Sequence, residues 1–192
     1  MKLPLIKNDG EMALSFYAKV LFYNIHVVYG EIIGDIQYQY QYSKSCIEYM
    51  EKNPAFCELE IERHVIALNN YIQALILLKE YNQAKMRIKA LKNISSKFSN
   101  KLSENVLVRI FSRSSILELK LLNKQGDFIE SEKQIIQIKM MKKSFSGKMN
   151  EANKKILHYE IAYAYFGTKK FREAIKYLNN ITSVASKLVK IL

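Results

Sequence analysis

The sequence holds only two prolines and six glycines in 192 residues. Strand-rich folds need turn residues at a higher density than this, so the shortage favours helices joined by short turns. Cysteine is scarce too: Cys46 and Cys57 are the only two. Two thiols cannot build a disulfide framework, and these show no metal spacing. Cys46 is expected as a small buried hydrophobe. No uncharged apolar run approaches the ~18 residues of a membrane span. Asp9, Glu11 and Lys19 interrupt the N-terminal region before an apolar segment of the ~7–15 residues of a secretory signal is reached. A cytoplasmic location is expected.

What is present suits a folded chain: 49% hydrophobic and 25% charged residues. The net charge of +12 is unevenly spread. Residues 1–100 hold 12 basic and 10 acidic side chains, a net of +2, while residues 101–192 hold 18 and 8, a net of +10. A basic half attracts acidic partners or nucleic acid. A solvated lysine-rich surface accounts for the same numbers.

A pattern recurs along the chain. Ile36, Tyr81, Phe128 and Phe171 are spaced by 45, 47 and 43 residues. Three positions after each stand Gln39, Ala84, Ser131 and Ala174; seven before stand Tyr29, Ala74, Leu121 and Ala164; ten after stand Cys46, Leu91, Ile138 and Ile181. Such periods mark stacked supersecondary units. Apolar spacing on both sides of each anchor is helical. Gly34 and Gly126 suit the left-handed residue that ends a first helix, and Asp35 and Asp127 suit the cap that starts a second. The expected hairpins cover about 11–52, 55–98, 102–143 and 151–190, within one domain of 1–192. Asn53-Pro54 is the clearest boundary, with Asn as cap and Pro at the first helical position. The stretch IQYQYQY (36–42) alternates like a strand but follows Gly34-Asp35, so it reads as the start of a helix. Its three tyrosines cannot share one helical face.

The pattern resembles the tetratricopeptide repeat. HYEIAYAYFGTKKFREAIKYLNNI (158–181) carries it best, through Ala164, Tyr165, Phe171, Ala174, Tyr177 and Leu178. ALNNYIQALILLKEYNQAKMRIKAL (67–91) is next. The unit here is ~45 residues against the family's 34, so the helices are longer. The resemblance implies an all-α fold, a right-handed α-solenoid of about four stacked antiparallel helical hairpins. It also implies a non-enzymatic scaffold that binds a protein or peptide segment on its concave face.

Residues twelve, eight and five before the anchor face the groove in that family. By this likeness the peptide-binding candidates are Asn24, Asn69, Gln73, Lys120, Asn123, Tyr159 and Tyr163, with Arg113 beside the third set. Amides one repeat apart can hold an extended backbone, and Lys120 and Arg113 can hold its carboxylates. Ordinary polar groove positions are the plain alternative.

Chemistry is thinly represented. His26, His64 and His158 form no metal or catalytic spacing. Glu60 and His64 share a helix face but read as a surface pair. No phosphate loop and no nucleophile-elbow motif occurs. No enzyme activity, metal or cofactor is expected. Met140-Met141 reads as core packing. Two other readings stand beside the scaffold: a regulatory or sensor segment of a larger protein, and binding of nucleic acid or an acidic partner through the basic half. Nucleic acid is not the expected partner, because no basic stripe with interleaved aromatics stands out along the chain. The apolar C-terminal set Val184, Leu188, Val189, Ile191 and Leu192 is expected to meet a homodimer partner or a further unit.

Overall fold

The four anchor residues each open a helix, and the turn before each is built identically. In the computed structural model, which describes residues 15–145 and 148–189, the helices are α1 (Phe16–Ile33), α2 (Ile36–Glu51), α3 (Pro54–Leu59), α4 (Ile61–Leu77), α5 (Tyr81–Lys97), α6 (Glu104–Gln125), α7 (Phe128–Phe145), α8 (Glu151–Gly167) and α9 (Phe171–Val189). No strand occurs among the described residues. The fold is all-α, as expected. Two positions before each anchor the backbone is left-handed: Gly34 (φ 71°), Lys79 (φ 64°), Gly126 (φ 75°) and Lys169 (φ 61°). The next amide reaches back five residues in every case, from Asp35 to Gly30 (3.0 Å), Glu80 to Leu75 (2.9 Å), Asp127 to Leu122 (3.0 Å) and Lys170 to Tyr165 (2.8 Å). These bonds satisfy carbonyls that a helix end leaves open. Asp35 and Asp127 cap the following helices, accepting from Tyr38 N (2.9 Å) and Glu130 N (3.2 Å).

The chain divides into two compact units, residues 1–87 and 88–192, the division falling inside α5. In unit 1, α1 packs on α2, and α2 on α4. The core holds Val20, Val27, Cys46, Ile47, Met50, Val65, Leu68, Ile72 and Leu75. Burial pushes the Cys46 thiol up to about 12, so it is an inert core group. The crossing of α1 and α2 departs from the expected register. Tyr29 is exposed, and Gly30, one residue later, is buried. A Cβ on Gly30 would lie 2.9 Å from Gln39 N, so only glycine admits this approach. Asn53 does not cap α3; its amide donates to Tyr49 O instead (2.8 Å). A further break at Glu60 separates α3 from α4.

Of the three tyrosines of IQYQYQY, two enclose the buried His26. Tyr42 stacks on its ring at 4.2 Å, and Tyr38 shares a hydrogen bond with Nδ1. Tyr40 points elsewhere and stacks on Tyr71 at 5.9 Å. Burial pushes both the Tyr38 and Tyr71 hydroxyls up to about 12.

In unit 2, α6 packs on α7 and α8, and α8 on α9. The core is Val108, Phe111, Ile116, Leu119, Ile135, Ile138, Leu157, Ile161 and Ala164, with Tyr165 and Tyr177 packed against it. Ala164 and Ala174 are both buried, as crossing residues should be. The side chains at 182–192 lie outside the described residues, and with them the apolar set Val184, Leu188, Val189, Ile191 and Leu192.

Candidate functional site

The first helices of the hairpins, α1, α4, α6 and α8, carry every candidate residue. Within unit 1, α1 and α4 run parallel, since Tyr17 meets Glu60 (3.0 Å) and Asn24 meets Asn70 (3.5 Å). The amides form a chain: Asn69 donates to Asn70 (3.3 Å), Asn70 to Asn24, and Asn24 to Val20 O (3.0 Å). Asn70 is the link that the sequence pattern missed; it neighbours Asn69 but lies one step round the helix. Gln73 is half-buried one turn along α4. On α1, Leu21, Ile25, Val28 and Ile32 are exposed, Ile32 by 77%. At 3.6 residues per turn these four lie roughly a quarter-turn from Asn24, and Asn69 and Gln73 lie about as far from Asn70 on the same side. An aliphatic stripe and an amide row therefore share one face.

Within unit 2, α6 and α8 also run parallel. Asn153 Nδ2 donates to Ser112 Oγ (3.2 Å), and Asn123 Nδ2 donates to Glu160 O and to its Oε2 (both 2.9 Å). Asn123 is buried, and its Oδ1 accepts from Ser131 (3.0 Å). Its amide joins α6 to α8 and is not presented to solvent. Glu160 is buried with it, and desolvation pushes its carboxyl above the usual range despite the Asn123 bond and nearby Lys120 and Lys124.

Arg113 and Lys120 are half-buried, and Tyr159 and Tyr163 are exposed. Arg109, Arg113, Lys120 and Lys124 fall in one stripe of α6, about a quarter-turn from the Ser112–Asn123 line. Ile156, Tyr159, Tyr163 and Phe166 fall in one stripe of α8, about a quarter-turn from Asn153 and Glu160 on the same side. The Tyr159 and Tyr163 rings stand 6.4 Å apart. Burial and the charge of Arg109 lower the Arg113 pKa, and its Nε is buried with no hydrogen-bond partner. The arrangement suits anionic groups lying over α6.

Elsewhere in unit 2 a cavity of about 380 Å³ is lined by α5, α6 and α7, including Lys92, Phe111, Ser115, Gln134 and Met141. Lys92 and Gln134 both donate to Glu118 at its edge. Met140 is 68% and Met141 53% exposed, so this pair is not core packing. Glu60 accepts from Tyr17 and Arg63 (3.2 Å), and both Glu60 and His64 are half-buried, so the pair does not stand on an open surface. Among the described residues no three His, Cys, Asp or Glu side chains converge on a metal-sized site, and no helix is long and apolar enough to cross a membrane. Comparison with protein families, curated proteins and solved structures returns no match for this chain.

Proposed function

We propose that the protein is a non-enzymatic scaffold that binds an extended protein segment on the faces of its first helices. In this reading the four hairpins stack as a right-handed, tetratricopeptide-like solenoid. The shared turn geometry supports the repeat, since equal turns deliver equal helix exits.

One observation carries the reading: in unit 1 the exposed Leu21–Ile25–Val28–Ile32 stripe lies beside the Asn24–Asn70–Asn69 amide chain. A peptide needs both kinds of surface. Its backbone takes donors and acceptors from Asn and Gln, and its apolar side chains cover aliphatic area. The largest contiguous apolar patch on a protein surface is often functional.

Selection of a peptide-display library against the full chain tests this. The expected peptides are uncharged to weakly acidic, with apolar residues at alternate or helical spacing. Asn69→Ala and Val28→Glu should each weaken them at least roughly tenfold, the effect of losing one interaction worth 1.4 kcal/mol. Selected peptides that bind both variants as tightly as wild type would place the binding surface elsewhere.

A further inference from the structure

The expectation against nucleic acid rested on there being no basic stripe with interleaved aromatics along the chain. The fold assembles one from two helices. Arg109, Arg113, Lys120 and Lys124 come from α6, and Tyr159, Tyr163 and Phe166 come from α8, some 40 residues later. Neither stretch shows the pattern alone. From this juxtaposition we propose that the α6–α8 face of unit 2 binds single-stranded nucleic acid. The proposal goes beyond the protein-segment reading, which stands on unit 1.

The charge supports it first. Residues 88–192 hold 21 basic and 8 acidic side chains, a net of +13, while residues 1–87 hold 9 and 10, a net of −1. The whole positive excess belongs to unit 2. On the α6–α8 face the acidic group is Glu160, which is buried and held by Asn123. From Arg109 to Lys124 the cations span about 22 Å at 1.5 Å per residue, room for several nucleotides. Arg113 adds a specific demand. Its guanidinium is drawn into a partly desolvated place beside Arg109, where its Nε has no hydrogen-bond partner, and a phosphate above it would supply an acceptor and an opposite charge.

The rings decide between polyanions. Tyr159, Tyr163 and Phe166 are 52%, 44% and 64% exposed. Exposed rings in a row beside cations make a stacking platform with an electrostatic track. A nucleic-acid strand offers a flat ring and a charge at every residue. An acidic peptide matches the cations and leaves the rings without flat partners. In a duplex the base faces are already stacked on one another, so the rings select an unpaired strand.

Fluorescence anisotropy with the full chain tests the proposal. The probes are labelled 20-nucleotide oligo(dT) and oligo(rU), a 20-base-pair duplex and a 20-residue polyglutamate. At least one single strand should bind more tightly than both the duplex and the polyglutamate; which strand does so reports whether DNA or RNA is preferred. Its log K should fall with log salt at a slope of about −2 to −3, as three to four phosphate contacts dictate. Lys120→Gln/Lys124→Gln should reduce that slope by about 1.4. Tyr159→Leu/Tyr163→Leu keeps apolar area but removes the stacking faces, and should weaken binding roughly 5- to 100-fold at unchanged slope. Lys133→Gln/Lys176→Gln, exposed on α7 and α9, should change affinity less than the α6 pair does. Circular dichroism checks that each variant folds. Equal binding of duplex or polyglutamate, an unaffected leucine variant, or equal effects of the two lysine pairs would each overturn the proposal. None of these results bears on peptide capture by unit 1.

Discussion

The two units share a backbone plan and differ in the chemistry laid over it. Both make their turns with a left-handed residue two positions before the anchor and the same long backbone bond. Both bring helices together at small or tightly held residues, Gly30 against Gln39 in unit 1 and Ala164 with Ala174 in unit 2. Yet unit 1 shows aliphatic side chains and amides at a net charge of −1, and unit 2 shows cations and aromatic rings at +13. Their buried polar groups differ as well: a histidine enclosed by tyrosines in one, an Asn–Glu–Ser bridge in the other. Turns and crossings constrain the chain where backbone meets backbone. The outer stripe of a first helix meets solvent, so its residues can change without disturbing the plan.

The largest effects should fall on the shared plan. Leu119→Ala in unit 2 and Ile47→Ala in unit 1 should each cost about 2–5 kcal/mol in denaturant unfolding, through lost transfer energy and a cavity. Val28→Ala, on the exposed stripe, should shift stability by no more than about 0.5 kcal/mol. A large loss at Val28 would show that the stripe is covered within the chain and is not a binding face. Next come the crossings. Gly30→Ala and Ala164→Leu should each cost about 1–3 kcal/mol by forcing helices apart. A neutral Gly30→Ala would show that the close approach to Gln39 is not made.

The buried bridge should matter comparably and in unit 2 alone. Asn123→Ala removes the donor to the buried Glu160, while Ser131 keeps its bond to Asp127 O, and should cost about 1–3 kcal/mol. Its pH dependence has a definite sign. The folded carboxyl of Glu160 sits above its unfolded value, so the protonated folded form is favoured. Its contribution to stability is fully present below the unfolded pKa and is lost as pH rises through the raised folded one. Glu160→Gln should flatten that fall in a melting series from acid to neutral pH. The smallest effects belong to the turns. Lys79→Gly and Lys169→Gly should each raise stability by about 0.5–1 kcal/mol, because a left-handed conformation strains any side chain. Unchanged melting midpoints for both would break the claim that the four turns are equivalent.

Helix positions were legible because the anchors and caps act locally. Ile36, Tyr81, Phe128 and Phe171 open helices where the repeat put them. The register of the first hairpin was not legible. Tyr29 occupies the aligned small-residue position, but a glycine one residue on gives the backbone a closer approach than any alanine. Asn53 misled for a local reason: its amide finds Tyr49 O behind it. The candidate residues divide along the same line. Tyr159, Tyr163, Lys120 and Arg113 lie on one side of α6 and α8 because their helical phase alone decides that. Asn123 lies about a quarter-turn from that stripe, on the line that faces α8, where its short amide reaches Glu160 and Ser131. Asn70 was missed because its part in the amide row depends on which helix lies next to α4, and local periodicity does not specify that.

Hydrogen–deuterium exchange of the full chain, with and without saturating single-stranded oligonucleotide, tests most directly that outward stripes of the first helices are the binding surfaces. Added protection is expected in α6 and α8, centred on residues 109–124 and 156–166, with none in α7 or α9. Protection centred on α7 and α9, or no change in α6 and α8 at saturation, would contradict it.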